Sequence, residues 1–146
     1  VVRIGSNKSA QGEVVVAGTG IQGRASNGLD RPCGIFIDFE YNLYVADSGN
    51  DRIQKFDRGD KNGTTVAGSG TSTFSLSEPT GVILDREGYL FILDSGNNRI
   101  VAQSASGFRC IIGCNGSSSV LDKPIILAFD SFGSIFVVDQ SGSRLQ

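Results

Sequence analysis

The stretch "GIFIDFEYNLYVADSGNDRIQKF" at residues 34–56 recurs as "GVILDREGYLFILDSGNNRIVAQ" at residues 81–103. Each copy begins two residues after a proline, and a third, more divergent copy follows Pro124 and ends in "DQSGSRL" at residues 139–145. Pro32, Pro79 and Pro124 lie 47 and 45 residues apart. Self-similarity at such a spacing indicates a repeat architecture, in which each copy is one structural unit.

Each repeat contains short runs of Val, Ile, Phe, Tyr and Leu, separated by clusters of Gly, Asn, Asp and Ser. In the first complete copy these runs predict strands at about 34–38, 43–47, 52–57 and 64–67. Four short strands in every 40 to 50 residues are typical of a β-propeller blade. We therefore expect an all-β protein built from blades of four antiparallel strands.

The repeats are cut out of phase with the chain. The segment "EVVVAG" at 13–18 matches "TTVAG" at 64–68, so residues 1–18 are expected to be the second half of a blade. Residues 32–68 and 79–113 are expected to be full blades, and residues 124–146 the first part of another. Together they predict one segment, an incomplete propeller arc.

The two long copies resemble the NHL repeat family, and the resemblance covers essentially the whole chain. It implies a six-bladed propeller, of which this chain supplies about three repeats. Some NHL domains, notably those of tripartite-motif and related developmental regulators, bind RNA on a basic face. The peptide-amidating lyase is an enzyme with a similar architecture that relies on metal-bound histidine.

The polar heptads are predicted to form the corner between the second and third strands of each blade. Their aspartates can accept hydrogen bonds from the turn's own amides, their glycines can take positive φ, and their arginines can form an ion pair across the hairpin or reach the next blade. A structural role is therefore predicted for Asp47, Gly49, Asn50, Arg52, Asp94, Gly96, Asn97, Arg99, Asp139 and Arg144.

The chain contains no histidine, the commonest general base and a frequent zinc ligand. Asp38, Asp85 and Asp130 end the predicted innermost strands. They could converge on a central channel as paired acids or as a cation site, but capping of the turns that follow is the favoured interpretation. The sequence thus predicts no catalytic, metal or cofactor site, and a protein that is not an enzyme.

Charge gives little support to a nucleic-acid partner. The net charge is −2, and neither predicted face collects the basic residues that phosphate contacts need. No apolar run approaches the roughly 20 residues that span a bilayer, so membrane insertion is not expected.

Cys110 and Cys114 are a candidate disulfide, which requires a turn that Gly113 permits, while buried free thiols are the alternative for all three cysteines, including Cys33. Three sequons place candidate N-glycosylation sites at Asn7, Asn62 and Asn115. They favour, weakly, a secreted or surface protein.

The function predicted from the sequence is that of a non-enzymatic scaffold that binds a protein or peptide through its face loops. RNA binding is the alternative, disfavoured by the acidic balance, and a propeller lyase or hydrolase is disfavoured by the lack of histidine. Because the chain has no Met, we expect it to be part of a longer product. Closure of a six-bladed ring by two copies of the chain is a further expectation, and a cut through a longer propeller is the simpler one.

Overall fold

A computed structural model describes residues 1–4, 13–71, 74–114, 120–140 and 144–145. Within these ranges the chain is built from antiparallel strands, joined by turns and by two short 3₁₀ segments. The strands are β1 (Val2–Ile4), β2 (Glu13–Val15), β3 (Pro32–Ile37), β4 (Leu43–Asp47), β5 (Arg52–Phe56), β6 (Thr64–Gly68), β7 (Pro79–Leu84), β8 (Leu90–Asp94), β9 (Arg99–Ser104), β10 (Gly107–Ile112), β11 (Pro124–Phe129), β12 (Ile135–Asp139) and β13 (Arg144–Leu145).

Two of the sheets have four strands each, in sequence order. The first blade is β3-β4-β5-β6 and the second blade is β7-β8-β9-β10. The third sheet contains β11-β12-β13, and β1 pairs with β2 at the start of the chain. These sheets confirm the predicted fold class, blades of four antiparallel strands in an incomplete propeller, and the first blade's strands begin and end within two residues of their predicted positions.

The blades pack face to face, and this stacking explains the apolar runs. Strand β4 reads LYVAD and is buried at every position, because it lies inside its sheet and each of its faces contacts another layer. A strand covered on both faces needs a continuous apolar run instead of strict alternation. The outer strand β6 is exposed at its start and buried at its end.

Three apolar clusters hold the layers together. Between the first and second blades, Ala46 and Ile53 pack with Val82 and Ile92. A second cluster joins Leu93 of the second blade with Val137 and others of the third sheet. Val45 and Phe56 cover the other side of the first blade, against Ala17 and Leu29. Burial of each Val, Leu, Ile or Phe side chain in these clusters contributes about 1.5–3 kcal/mol, so the clusters stabilise the contacts between layers.

Glycines set the spacing between the innermost strands. A Cβ on Gly34 would overlap the Thr80 carbonyl oxygen of β7, and a Cβ on Gly81 would overlap the Leu127 side chain of β11. The third repeat has Ile126 at this position, and its side chain is 56% exposed. The first two innermost strands therefore approach their neighbours more closely than a side chain would allow.

The described part of the chain contains no helix long and apolar enough to cross a membrane. The ring-closing homodimer, six-fold closure and the assignment of blade boundaries remain predictions.

Candidate functional site

The two complete heptads fold as 3₁₀ corners between the second and third strands, at Ser48–Asn50 and Ser95–Asn97. The prediction that Gly49 and Gly96 take positive φ is wrong. The left-handed residues are Asp51, at φ 55°, and Asn98, at φ 50°. Glycine is needed at 49 and 96 because a Cβ there would overlap Asp30 or Ser77 of the preceding linker.

Asp47 is the centre of a buried polar network. Its Oδ2 accepts hydrogen bonds from Arg52 Nε at 2.7 Å and from Asn50 Nδ2 at 2.8 Å. Its Oδ1 accepts from the backbone N–H of Asp30 at 2.7 Å, so the prediction that the aspartate binds the turn's own backbone amides is wrong: the backbone donor lies in the preceding linker. Arg52 also donates to the carbonyl oxygens of Arg24, Ala25 and Gly28. The corner thus ties the linker from the preceding blade to the sheet.

The other two corners repeat this arrangement in part. Asp94 accepts from Arg99 Nε at 2.6 Å, from Asn97 Nδ2 at 2.9 Å and from the Ser77 N–H at 2.7 Å. Asp139 is buried and accepts from the backbone N–H of Asp122. The side chain of Arg144 lies outside the described part of the structure. We call the side of the blades that carries these corners the heptad face. Its three aspartates, Asp47, Asp94 and Asp139, each accept a backbone N–H bond from the linker that precedes the blade.

The structure describes all three cysteines and one of the three sequon asparagines. Cys110 and Cys114 form a disulfide, with 5.7 Å between their Cα atoms. Cys33 is a free, exposed thiol, so the alternative of buried free thiols does not apply to it. Asn62 is exposed in the turn before β6, whereas Asn7 and Asn115 lie outside the described residues.

On the opposite face, each blade has the same turn between its first and second strands. We call residues 38–42, 85–89 and 130–134 the three Asp turns. In each, the N–H of the first residue donates to the carbonyl oxygen of the fifth, and the N–H of the fourth donates back to the first. Each aspartate also accepts backbone N–H bonds through Oδ1, from Asn42, Tyr89 and Ser134 respectively. The favoured interpretation of these aspartates as turn caps is confirmed.

The fourth position of each Asp turn has a left-handed backbone. Gly88 and Gly133 occupy it in the second and third turns, at φ 85° and 87°. In the first turn it is Tyr41, at φ 66°. A bulky residue in this conformation is disfavoured by about 1–2 kcal/mol relative to glycine. The Tyr41 ring lies 5.1 Å from the Arg58 guanidinium, and this cation–π contact offsets part of the strain.

Two aromatic rings at the tips of the Asp turns project into solvent. Phe39 is 95% exposed and Phe132 is 93% exposed. They border a depression of about 760 Å³, lined by residues of all three Asp turns and by the ends of β3, β7 and β11. These exposed rings were not predicted from the sequence, although the phenylalanines in the polar turns "FEYN" and "SFG" were the available signal.

Hydrogen bonding keeps the aspartates of the first and third turns ionised. Burial acts to raise the pKa of Asp38, but bonds from Asn42 and Glu40 outweigh it and hold the pKa below its usual value. The pKa of Asp130 is lowered chiefly by the backbone N–H of Ser134. No group of three or more His, Cys, Asp or Glu close enough to hold a metal occurs among the described residues.

We expect the Asp turns to lose stability in acid. A carboxylate whose pKa is lower in the folded state stabilises the fold above the unfolded-state pKa, about 3.9 for Asp, and this contribution is lost as the pH falls through the folded pKa. Urea midpoints measured from pH 6 to pH 2 should therefore fall less steeply for Asp130→Asn than for the parent chain. If the urea midpoint of the variant fell with pH as steeply as that of the parent chain, ionised Asp130 would not stabilise the fold.

No protein-family model and no curated protein matches the sequence. Among solved structures, the chain is similar to virginiamycin B lyase from Staphylococcus aureus, with a TM-score of 0.58 and 15% identity over 78% of this chain and 36% of the lyase. A streptogramin B lyase gives 0.58 and 18%, with the same coverages. A chain of a nidogen/laminin complex gives 0.57 and 18%, over 80% of this chain and 47% of that one.

These likenesses show a propeller-type fold, and the chain spans less than half the length of each neighbour. The prediction that the chain is not an enzyme is corrected by the lyases, because this blade architecture does serve enzymes. The lack of histidine in this chain was not sufficient evidence against enzymatic activity. A fold does not determine function, and 64% of the first lyase lies outside the matched region. At these identities the likeness carries the fold alone.

Proposed function

We propose that this NHL-type segment is an interaction scaffold that binds a protein or peptide through the face formed by the three Asp turns. The observation that carries the proposal is the pair of rings, Phe39 and Phe132, held almost wholly in solvent at the border of one depression. Aromatic side chains are enriched at the anchoring positions of protein interfaces, because they bury a large area with little loss of conformational freedom.

The backbone of this face supports the same proposal. Each Asp turn is fixed by two backbone hydrogen bonds and by its aspartate cap, so the tips are held in place before a ligand arrives. Preorganised surfaces bind with a smaller loss of entropy. Tyr41 adds a strained aromatic residue where the sister turns have glycine, and strained residues concentrate at functional sites.

The neighbour from the nidogen/laminin complex provides a parallel, since a chain of similar fold takes part in a complex between proteins. The heptad face is the weaker candidate, because its arginines Arg52 and Arg99 are bound to Asp47 and Asp94.

The proposal can be tested by selecting linear peptides from a display library on the immobilised chain and measuring their affinities for variants. We expect most selected peptides to lose at least tenfold in affinity on Phe39→Ala together with Phe132→Ala, because burial of an aromatic anchor often contributes 2 kcal/mol or more.

Ile21→Ala is the matched control, because Ile21 is an apolar side chain 75% exposed away from the Asp turns. Peptides that depend on Ile21 but not on the two phenylalanines would place the binding surface elsewhere and contradict the proposal.

A further inference from the structure

The depression between the Asp turns combines aromatic rings with carboxylates. Its lining carries an excess of negative charge. Five acidic residues line it, and Arg86 is the only basic residue among the lining residues: the acidic ones are Asp38, Glu40, Asp85, Glu87 and Asp130. A concave surface with this excess of negative charge attracts cations and repels anions.

Within the described residues, none of these five carboxylates forms an ion pair. The hydrogen bonds to Asp85 and Asp130 come from backbone N–H groups of their own turns, which stabilise a carboxylate without cancelling its charge. Glu40 and Glu87 are exposed. Two basic residues lie near the first Asp turn. Lys55 on β5 is paired with Asp57 at 3.0 Å, although its charge also acts on Asp38, and Arg58 stacks on the Tyr41 ring.

The spacing of the carboxylates indicates what kind of cation this surface would bind. Within the described residues, no three carboxylates lie close enough together to share a metal ion. The carboxylates are instead distributed over three turns of three successive blades, which suits several positive groups spaced along a chain. Phe39 and Phe132 add ring faces, which attract ammonium and guanidinium groups by cation–π interaction.

We propose that the ligand of the Asp-turn face is a basic peptide segment, whose Lys or Arg side chains enter the depression, contact Phe39 and Phe132 and pair with the carboxylates of the turns. This inference rests on the proposed function, since it names the ligand of the same face. Charge complementarity selects this occupant over an acidic or an apolar peptide.

The test measures binding of two synthetic peptides to the chain by fluorescence anisotropy. The probes are a labelled peptide of four Arg-Gly repeats and a matched peptide of four Glu-Gly repeats. We expect the arginine peptide to bind, with an affinity that falls at least fivefold between 20 and 150 mM NaCl because salt screens exposed charges. We expect the glutamate peptide not to bind.

Variants then locate the site. The double variant Glu40→Gln, Glu87→Gln should weaken the arginine peptide about tenfold, and Arg86→Gln should strengthen it. The matched control removes two exposed carboxylates on the heptad side, with Glu78→Gln and Asp122→Asn, and should leave the affinity within twofold of the parent.

Two failures are distinguishable. If the arginine peptide does not bind, or binds equally to both double variants, the basic ligand is overturned, while library peptides that depend on Phe39 and Phe132 would leave the proposed function standing. If the selected peptides do not depend on these rings either, both proposals fall.

Discussion

Replacement of Asp47 with alanine is expected to lower the free energy of unfolding by about 3–5 kcal/mol, the range for breaking a buried ion pair from one side. Asp47 is fully buried and Arg52 is nearly so. The substitution removes the carboxylate that accepts from Arg52 Nε, Asn50 Nδ2 and the Asp30 N–H, and it leaves the buried guanidinium charge without its counter-ion. Urea unfolding followed by circular dichroism measures the loss, since the chain has no Trp.

Two comparisons make this expectation specific. Asp94→Ala should be less damaging than Asp47→Ala, because Arg99 is 23% exposed and water can replace part of the lost bonding. Asp57→Ala removes an exposed partner of Lys55 and should change stability by less than about 1 kcal/mol. Equal effects at Asp47 and Asp57 would show that the buried network is not what holds the linker.

The second large effect is expected at Gly34. In Gly34→Ala the new methyl group meets the Thr80 carbonyl oxygen and lies 3.0 Å from the Gly81 Cα, both of them backbone atoms. A backbone neighbour cannot turn away as a side chain can, so β3 and β7 must separate and the cluster between the first two blades must loosen. We expect a loss of about 3 kcal/mol, at the upper end of the range for overpacking. The measurement is the midpoint of urea unfolding, compared between variants that share the same dependence of unfolding free energy on urea concentration.

Gly23→Ala is the matched control, because a Cβ at Gly23 meets nothing within 4 Å and its φ is not positive. It should leave the midpoint close to that of the parent chain. Gly81→Ala should fall between the two, since the atom in its way is the end of the Leu127 side chain, which can move. A Gly34→Ala variant as stable as Gly23→Ala would contradict the close approach of the innermost strands.

The periodic features of this fold could be predicted from the sequence, because they depend on local patterns. Apolar runs bounded by turn residues determine where strands begin and end, and the recurrence of Pro32, Pro79 and Pro124 identifies the repeat. The caps of the Asp turns were predictable for the same reason, since an aspartate bonds to amides two to four residues away.

The features that the sequence did not reveal depend on contacts between distant residues. Gly49 looked like a left-handed turn residue, but it is small because Asp30 lies against it, nineteen positions earlier in the chain. Similarly, only the stacking of three blades shows that Phe39 and Phe132 border one depression. The prediction that the chain is not an enzyme was wrong for a different reason, because it inferred function from the lack of histidine alone.

Ile126 has a consequence for the spacing of the layers. Gly34 lets β3 lie almost backbone to backbone with β7, and Gly81 leaves room on β7 for the Leu127 side chain of β11. At β11 the corresponding position carries a branched side chain that is largely exposed. Any layer that covers this side of the third sheet must stand back by about the thickness of that side chain. Such a layer is therefore expected to lie further from β11 than β7 lies from β3.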